Sequence, residues 1–306
     1  MATLPEDEAL SERSTATSPV SVPSAVAAPL SASVRLQRFF RTPKGLLILV
    51  LLVLLIPASF GTGVALVTPG MLAACGIAML VDAPILRVRE KEWQFPSGAL
   101  LTGMLVAMVL SPFQTWHIAA VSAAIAIVSK YIARTRSANV FNPAALALVI
   151  TYYLFQGRTG QSWWGALSEM HPIALTALFA TGLFITNRVN KLPAVLAFLG
   201  CYYLLFTLAS FIGDPGHVAG IYRAPYLQMA LFFAFFMVTD PPTSPPKQRD
   251  QIVFGVIVAV ASFAIFEIYH WVFFMLAGLL VGNAWEAARR WYSRLNRSKR
   301  NALAAG

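Results

Sequence analysis

Charged side chains are scarce in this sequence: 12% of its 306 residues, against about 25% in soluble domains. With 58% hydrophobic residues and a mean hydropathy of +0.66, the chain reads as a membrane protein. Cysteine is nearly missing. Cys75 and Cys201 lie far apart within apolar runs, with no Cys-x-x-Cys pair and no Cys/His ladder. That excludes a zinc site or a four-cysteine iron–sulfur cluster built by this chain alone. A phosphate loop, a hydrolase triad and a metal-binding helix motif are also absent, so a soluble-type enzyme is excluded. Asp82, Asp240, Glu267 and Glu286 read as acids at helix ends, where capping or snorkelling suffices. The four histidines fall at helix ends or in loops and none is paired at i,i+4, so they read as interfacial groups.

Basic residues are in excess, at a net charge of +10. They sit in short loops and at the two ends instead of along a polar face, so the excess reads as membrane topology and no nucleic-acid partner is expected. Candidate spans are 44–60, 63–81, 97–111, 114–133, 140–156, 172–186, 192–212, 225–238, 251–266 and 270–287. With the N-terminus inside, all 23 Lys and Arg except Arg158 and Arg223 fall on the cytoplasmic side. Ten helices with both termini inside account for this; one helix more or fewer mid-chain scrambles it. Trp116, Trp163, Trp164 and Trp271 then lie at the outer boundary, and Trp93, Trp285 and Trp291 at the inner one, as an aromatic belt requires.

The expected fold is therefore an all-α polytopic membrane protein. Ten spans divide into five and five, and an odd repeat length makes the second copy inverted. Residues 1–40, rich in Pro, Ser, Thr and Ala, are expected to be a disordered cytoplasmic tail that is not cleaved. Residues 41–288 form the membrane domain. Residues 289–306 form a basic cytoplasmic tail, passing from helix to coil and contacting anionic lipid.

Two breaks occupy matched positions in the halves. Pro96 precedes the short third span, and the short eighth span runs into Thr239-Asp-Pro-Pro-Thr-Ser-Pro-Pro-Lys247. Proline lacks an N–H and clashes with a preceding helical turn, so the eighth helix must end there. Short, interrupted helices at corresponding positions point to a central site. The loop 134–143 is a further dense polar stretch, where Asn142 is placed to cap the fifth helix and Pro143 to occupy its first turn.

Three segments carry a resemblance: Phe95-Pro-Ser-Gly-Ala-Leu-Leu-Thr-Gly103, Asn139-Val-Phe-Asn-Pro-Ala-Ala145, and Phe236-Met-Val-Thr-Asp-Pro-Pro-Thr-Ser-Pro245. Together with Gly278, Gly282 and Asn283 of the last helix, they resemble the RnfD/NqrB family over about residues 40 to 290. These are membrane subunits of Rnf and sodium-pumping NADH:quinone complexes. The resemblance implies ten helices in two inverted five-helix halves, a bacterial inner-membrane location, flavin-linked electron transfer, and redox or membrane partner subunits besides the bilayer.

It also implies a pocket for non-covalent flavin, FMN or riboflavin, lined by Ser97, Gly98, Thr102, Asn139, Asn142, Thr239, Asp240 and Thr243, with Phe141 or Phe236 stacking on the ring. Family members carry FMN esterified to a threonine in a Ser-Gly-Ala-Thr motif between the fifth and sixth helices. The corresponding loop 157–172 contains no such motif, so covalent FMN is not expected. The chain most resembles the stand-alone, UnbU-like branch. Two other classes stay open: a small-solute channel or transporter on the urea-transporter-like fold, and a cofactor-free scaffold subunit.

Overall fold

The structure, a computed structural model, describes residues 37–305 apart from 92, 136–137, 161–171, 214 and 224. Trp163, Trp164, His171 and most of both the 157–172 loop and the N-terminal tail lie outside the described residues. Each of the ten apolar runs forms a helix: α1 (Pro43–Thr62), α2 (Val64–Glu90), α3 (Ser97–Val109), α4 (Trp116–Ile132), α5 (Pro143–Leu154), α6 (Pro172–Arg188), α7 (Leu192–Ile212), α8 (Tyr226–Phe232), α9 (Gln248–Tyr269) and α10 (Phe274–Ala305). A short helix, Pro215–Ala219, and a 3₁₀ turn, Gly220–Tyr222, fill the α7–α8 connection. No strand occurs among the described residues; Arg134 and Asn139 pair as a single antiparallel bridge in the α4–α5 loop.

Local chemistry starts these helices. Thr42 caps α1, its hydroxyl accepting the Gly45 N–H at 3.1 Å, and Pro43 follows at the first position, where its missing N–H costs nothing. Asn142 caps α5 in the same way through the Ala145 N–H at 3.1 Å, with Pro143 behind it. α8 does not stay α-helical to its end. Phe233–Met237 form a π turn, in which Val238 N–H reaches back five residues to the Phe233 carbonyl.

Two helices run well past the C-terminal ends of their predicted spans. α2 continues past Pro84 to Glu90, so Asp82 is not a helix-end acid but lies inside the helix with 1% of its surface exposed. α10 stays helical to Ala305, which replaces the expected helix-to-coil tail and places Glu286 inside a helix, also 1% exposed.

Length and burial are related. Among the described residues, four helices, α1, α2, α7 and α9, are long and apolar enough to cross a bilayer. They carry exposed Leu, Ile, Val and Phe side chains such as Leu72, Leu80, Leu196 and Val260, as a surface facing lipid does. The 13-residue α3, the 12-residue α5 and α8 are apolar but shorter, and each is buried along much of its length. A helix wrapped in protein need not match the hydrocarbon thickness alone, because its ends are solvated by neighbouring loops.

The packing repeats at an interval of five helices. α2 lies along α4, and α7 along α9; α4 packs on α5, and α9 on α10; α1 meets α3, and α6 meets α8. Contacts of α1 with α6 and of α5 with α10 join the halves. Close approach needs glycine at two of these contacts. A Cβ on Gly103 of α3 would stand 2.8 Å from the Ala74 carbonyl oxygen of α2, and one on Gly255 of α9 2.5 Å from the Ala194 carbonyl oxygen of α7.

Candidate functional site

Helix ends from both halves surround a cavity of about 670 Å³. Its walls come from the start of α1 (Thr42, Pro43, Lys44, Leu47), α3 (Gly98, Leu101, Thr102), the end of α4 (Lys130), Asn139, Pro143 at the start of α5, the end of α6 (Ile185, Val189), and Thr239 to Pro242 after α8. Starts of odd-numbered helices and ends of even-numbered ones meet here, as they do when successive helices alternate in direction. The volume lies within the range of small-molecule sites, and the walls combine apolar surface with a few convergent polar groups.

Of the residues singled out in the sequence, the structure brings five to this cavity: Gly98, Thr102, Asn139, Thr239 and Asp240. The other five do not line it. Asn142 is 2% exposed and is occupied as the α5 cap. Phe236 is 2% exposed in the core, its ring 5.0 Å from that of Phe232. Thr243 stands behind Asp240 and donates its hydroxyl to the carboxylate at 2.8 Å. Ser97 opens α3, its N–H bonded to the Phe95 carbonyl, and Phe141 is half-buried in the α4–α5 loop.

The proline-rich loop 238–247 forms one wall, and its stability is a problem of donors. Four prolines remove four backbone N–H groups, so the loop's carbonyls must find partners elsewhere. Turn bonds from Thr243 and Ser244 to the Asp240 carbonyl supply some. Side chains from the starts of α7 and α9 and from within α10 supply others. Arg290 donates to the carbonyls of Pro242 at 2.9 Å and Ser244 at 3.0 Å, and Lys191 to that of Pro245 at 2.7 Å. Gln251 donates to the Pro246 carbonyl at 3.2 Å, and Asn283 to that of Thr243 at 3.3 Å.

Asn283 also accepts the Asn142 N–H at 2.9 Å, tying the loop to the start of α5. Glu286 holds Arg290 at 2.6 Å and Arg289 at 2.7 Å, and Arg289 reaches Asp250 of α9 at 2.8 Å. Sequence reasoning assigns Lys191, Arg289 and Arg290 to topology and misses this role. The signal for it is the loop itself, since a run of prolines needs cationic or amide donors from outside.

Electrostatics follow from this enclosure. Burial pushes the Asp240 carboxyl up to about 6, against the lowering effects of the Thr243 hydrogen bond and of Lys191, Lys44 and Arg290. Burial pulls the Lys191 ammonium down to about 8, only partly offset by Asp240 and Glu286. Asp240 is enclosed by protein yet touches the open space of the cavity, so its charge is sensitive to whatever occupies that space.

Across the cavity, Lys130 is paired with Asp82 at 3.0 Å, and the Tyr131 hydroxyl donates to the same carboxylate oxygen at 2.6 Å. Sequence alone leaves Lys130 free to snorkel to the interface; instead a buried carboxylate of α2 holds it inward. Cys75 is buried against Met71, and Cys201 is partly buried against the core. Among the described residues, no group of three metal-binding side chains forms.

Comparison with known proteins agrees with this architecture. A D-type subunit of an ion-translocating oxidoreductase complex from Sodalis glossinidius (strain morsitans) is 31% identical over 132 residues, covering 40% of this chain and 37% of its own length. The protein of the same name from Ectopseudomonas mendocina (strain ymp) is 25% identical over 244 residues, covering 61% of this chain and 71% of its own length. The matched stretch thus spans little more than a third of the first relative. The NQR2, RnfD, RnfE family matches residues 31–209 and 158–286, most of the sequence outside the terminal tails. On that coverage, and on an all-α, polytopic membrane fold, the chain belongs to the NQR2, RnfD, RnfE family.

Proposed function

We propose that this chain is a membrane-embedded redox subunit of a multi-subunit ion-translocating oxidoreductase, and that the cavity at the joint of its two halves holds a flavin without a covalent link. The observation that carries this is the cavity of about 670 Å³, on which Gly98, Thr102, Asn139, Thr239 and Asp240 converge from three separated family segments. Apolar walls at Leu47, Leu101, Ile185 and Val189 suit the faces of a flat ring. Hydroxyl, amide and carboxylate groups suit its polar edge. A flavin supplies one- and two-electron transfer when bound; the protein's part is to hold it and keep a carboxylate at its edge.

The excess of Lys and Arg at the cavity end supports a cytoplasmic side for that end and for both termini, in a bacterial cell. The two halves are related as inverted repeats, supported by the five-helix interval in the packing. Relatives named as subunits of a complex support membrane partner subunits here.

Purified full-length chain in lipid nanodiscs, supplied with flavin and washed, should retain a flavin absorbance that is released on denaturation. Asp240→Asn should weaken retention. A preparation that stays colourless after loading would refute the flavin reading, and solute flux through vesicles bearing such colourless protein would support the channel class.

A further inference from the structure

We infer that the last four turns of α10 are a docking face, and that its occupant is the acidic segment at residues 4–12 of the same chain. This goes beyond the flavin reading and does not depend on it. α9 begins at Gln248, and Asp250 in its first turn pairs with Arg289 of α10 at 2.8 Å. Arg290 bonds the Pro242 and Ser244 carbonyls of the loop that precedes α9. Residue 290 is therefore level with the end of α9, yet α10 continues to Ala305, about 22 Å farther.

The apolar side chains of this projection share a face. At about 100° per residue, Trp291, Leu295, Tyr292 and Leu303 fall within an arc of about 120°. They are 66%, 41%, 64% and 83% exposed. Two occupants fit this face poorly. The bilayer is one: neither proline nor glycine interrupts residues 283–305, so nothing turns the helix into the membrane plane. Leu295 and Leu303 stand about 6 and 18 Å beyond Trp291 along the axis, away from a bilayer that α10 crosses. A second copy of α10 is the other. Residues 291–305 hold Arg294, Arg297, Lys299 and Arg300 and no acid, so two copies would repel.

The N-terminal segment has the matching chemistry. Residues 1–12 contain Glu6, Asp7, Glu8 and Glu12 and no Lys or Arg, an equal and opposite charge, with Leu4 and Leu10 beside them. The chain also enters the bundle close to where α10 leaves it. Pro43 and Pro242 line one cavity, and Arg290 holds the Pro242 carbonyl at 2.9 Å. Residues 13–36 can span up to about 80 Å, which is ample. A tether of that kind turns docking into an intramolecular event, so ion pairs that are weak singly suffice.

The test is Tyr292→p-benzoylphenylalanine, a photo-crosslinking replacement, in the full-length chain at one chain per nanodisc of phosphatidylcholine and phosphatidylglycerol. Irradiation should join position 292 chiefly to residues 1–16 of the same chain, read by mass spectrometry of the digest. Changing Glu6, Asp7, Glu8 and Glu12 together to Lys should lower that yield roughly tenfold or more, and added salt should lower it too. Changing Arg294, Arg297, Lys299 and Arg300 to Glu in that same chain should restore it, which separates charge recognition from a loss of fold. Leu80→p-benzoylphenylalanine, at a 70% exposed position of α2, is the control and should capture lipid alone. A product at position 292 joined mainly to lipid, or to a second chain in discs holding two, would overturn the proposal. So would a yield indifferent to charge reversal. In intact cells the same internal product is expected, and its replacement by a product with another protein would overturn the proposal as well.

Discussion

Replacing Asn283 tests whether the proline-rich wall is held from outside. Its side chain is fully buried and makes two bonds in opposite directions: it accepts the Asn142 N–H at 2.9 Å and donates to the Thr243 carbonyl at 3.3 Å. Both partners are themselves buried, Asn142 at 2% and Thr243 at 1% exposure. Asn283→Ala leaves one donor and one acceptor unsatisfied. At about 1–3 kcal/mol for each stranded group, the loss should be about 2–6 kcal/mol. Asn283→Leu fills the volume but strands the same two groups, so it should recover only the packing part. Asn283→Asp keeps the acceptor and sets an oxygen against the Thr243 carbonyl, so it should be no better than alanine.

Thermal unfolding in nanodiscs measures the loss. Flavin retention measures its consequence, because Thr243 donates to the Asp240 carboxylate and a displaced loop moves that group. The reasoning fails if Asn283→Ala unfolds with the wild type, or if Asn283→Leu restores full stability.

Two further outcomes are expected. Gly103→Ala and Gly255→Ala should each destabilise by about 1–3 kcal/mol or more, because the new methyl meets backbone at 2.8 and 2.5 Å; alanine at Gly61, where a Cβ meets nothing within 4 Å, is the control, and equal melting of all three refutes the close approach. Because Asp240 holds its proton up to about pH 6 in the fold but only to about 4 when unfolded, its stabilising contribution should be complete below about pH 4. It should then disappear as pH rises from about 4 to about 6, by at most about 3 kcal/mol; Asp240→Asn should flatten that slope, and an unchanged slope counts against burial as the cause.

Helix count and connectivity were legible because they rest on composition. Runs of apolar residues and the side on which Lys and Arg fall constrain each other, and the structure forms a helix at every run. Helix ends were less legible wherever a polar residue stood in for a boundary. Asp82-Ala-Pro84 reads as the end of a span, yet α2 accepts Pro84 internally, and Asp82 is tolerated because α4 brings Lys130 and Tyr131 to it. That pairing joins residues 48 and 49 positions apart, which no local pattern encodes.

The site divides in the same way. Gly98, Thr102, Asn139, Thr239 and Asp240 flank chain breaks, and breaks are visible in sequence. Lys44 and Lys130 count only as charge in the sequence, since their approach to the cavity depends on how helices pack. Phe236 fails to reach the cavity for a reason inside α8: the π turn at Phe233–Met237 changes which residues face which neighbour, and periodicity at 3.6 cannot anticipate it.

That π turn sets the phase of everything after it. A π turn amounts to one residue added to an α-helix, so each side chain beyond it is displaced by about 100° from where a regular helix would aim it. Thr239 and Asp240 follow within three residues of its end, and Thr239 is locked there by its hydroxyl on the Phe235 carbonyl at 2.6 Å. Loss of Ala234 or Phe235 would leave the prolines and every letter from Phe236 to Pro245 intact, yet swing these two polar groups off the cavity wall. A relative could therefore retain the whole Thr-Asp-Pro-Pro signature and have no site, and the number of residues ahead of the signature would tell the two apart.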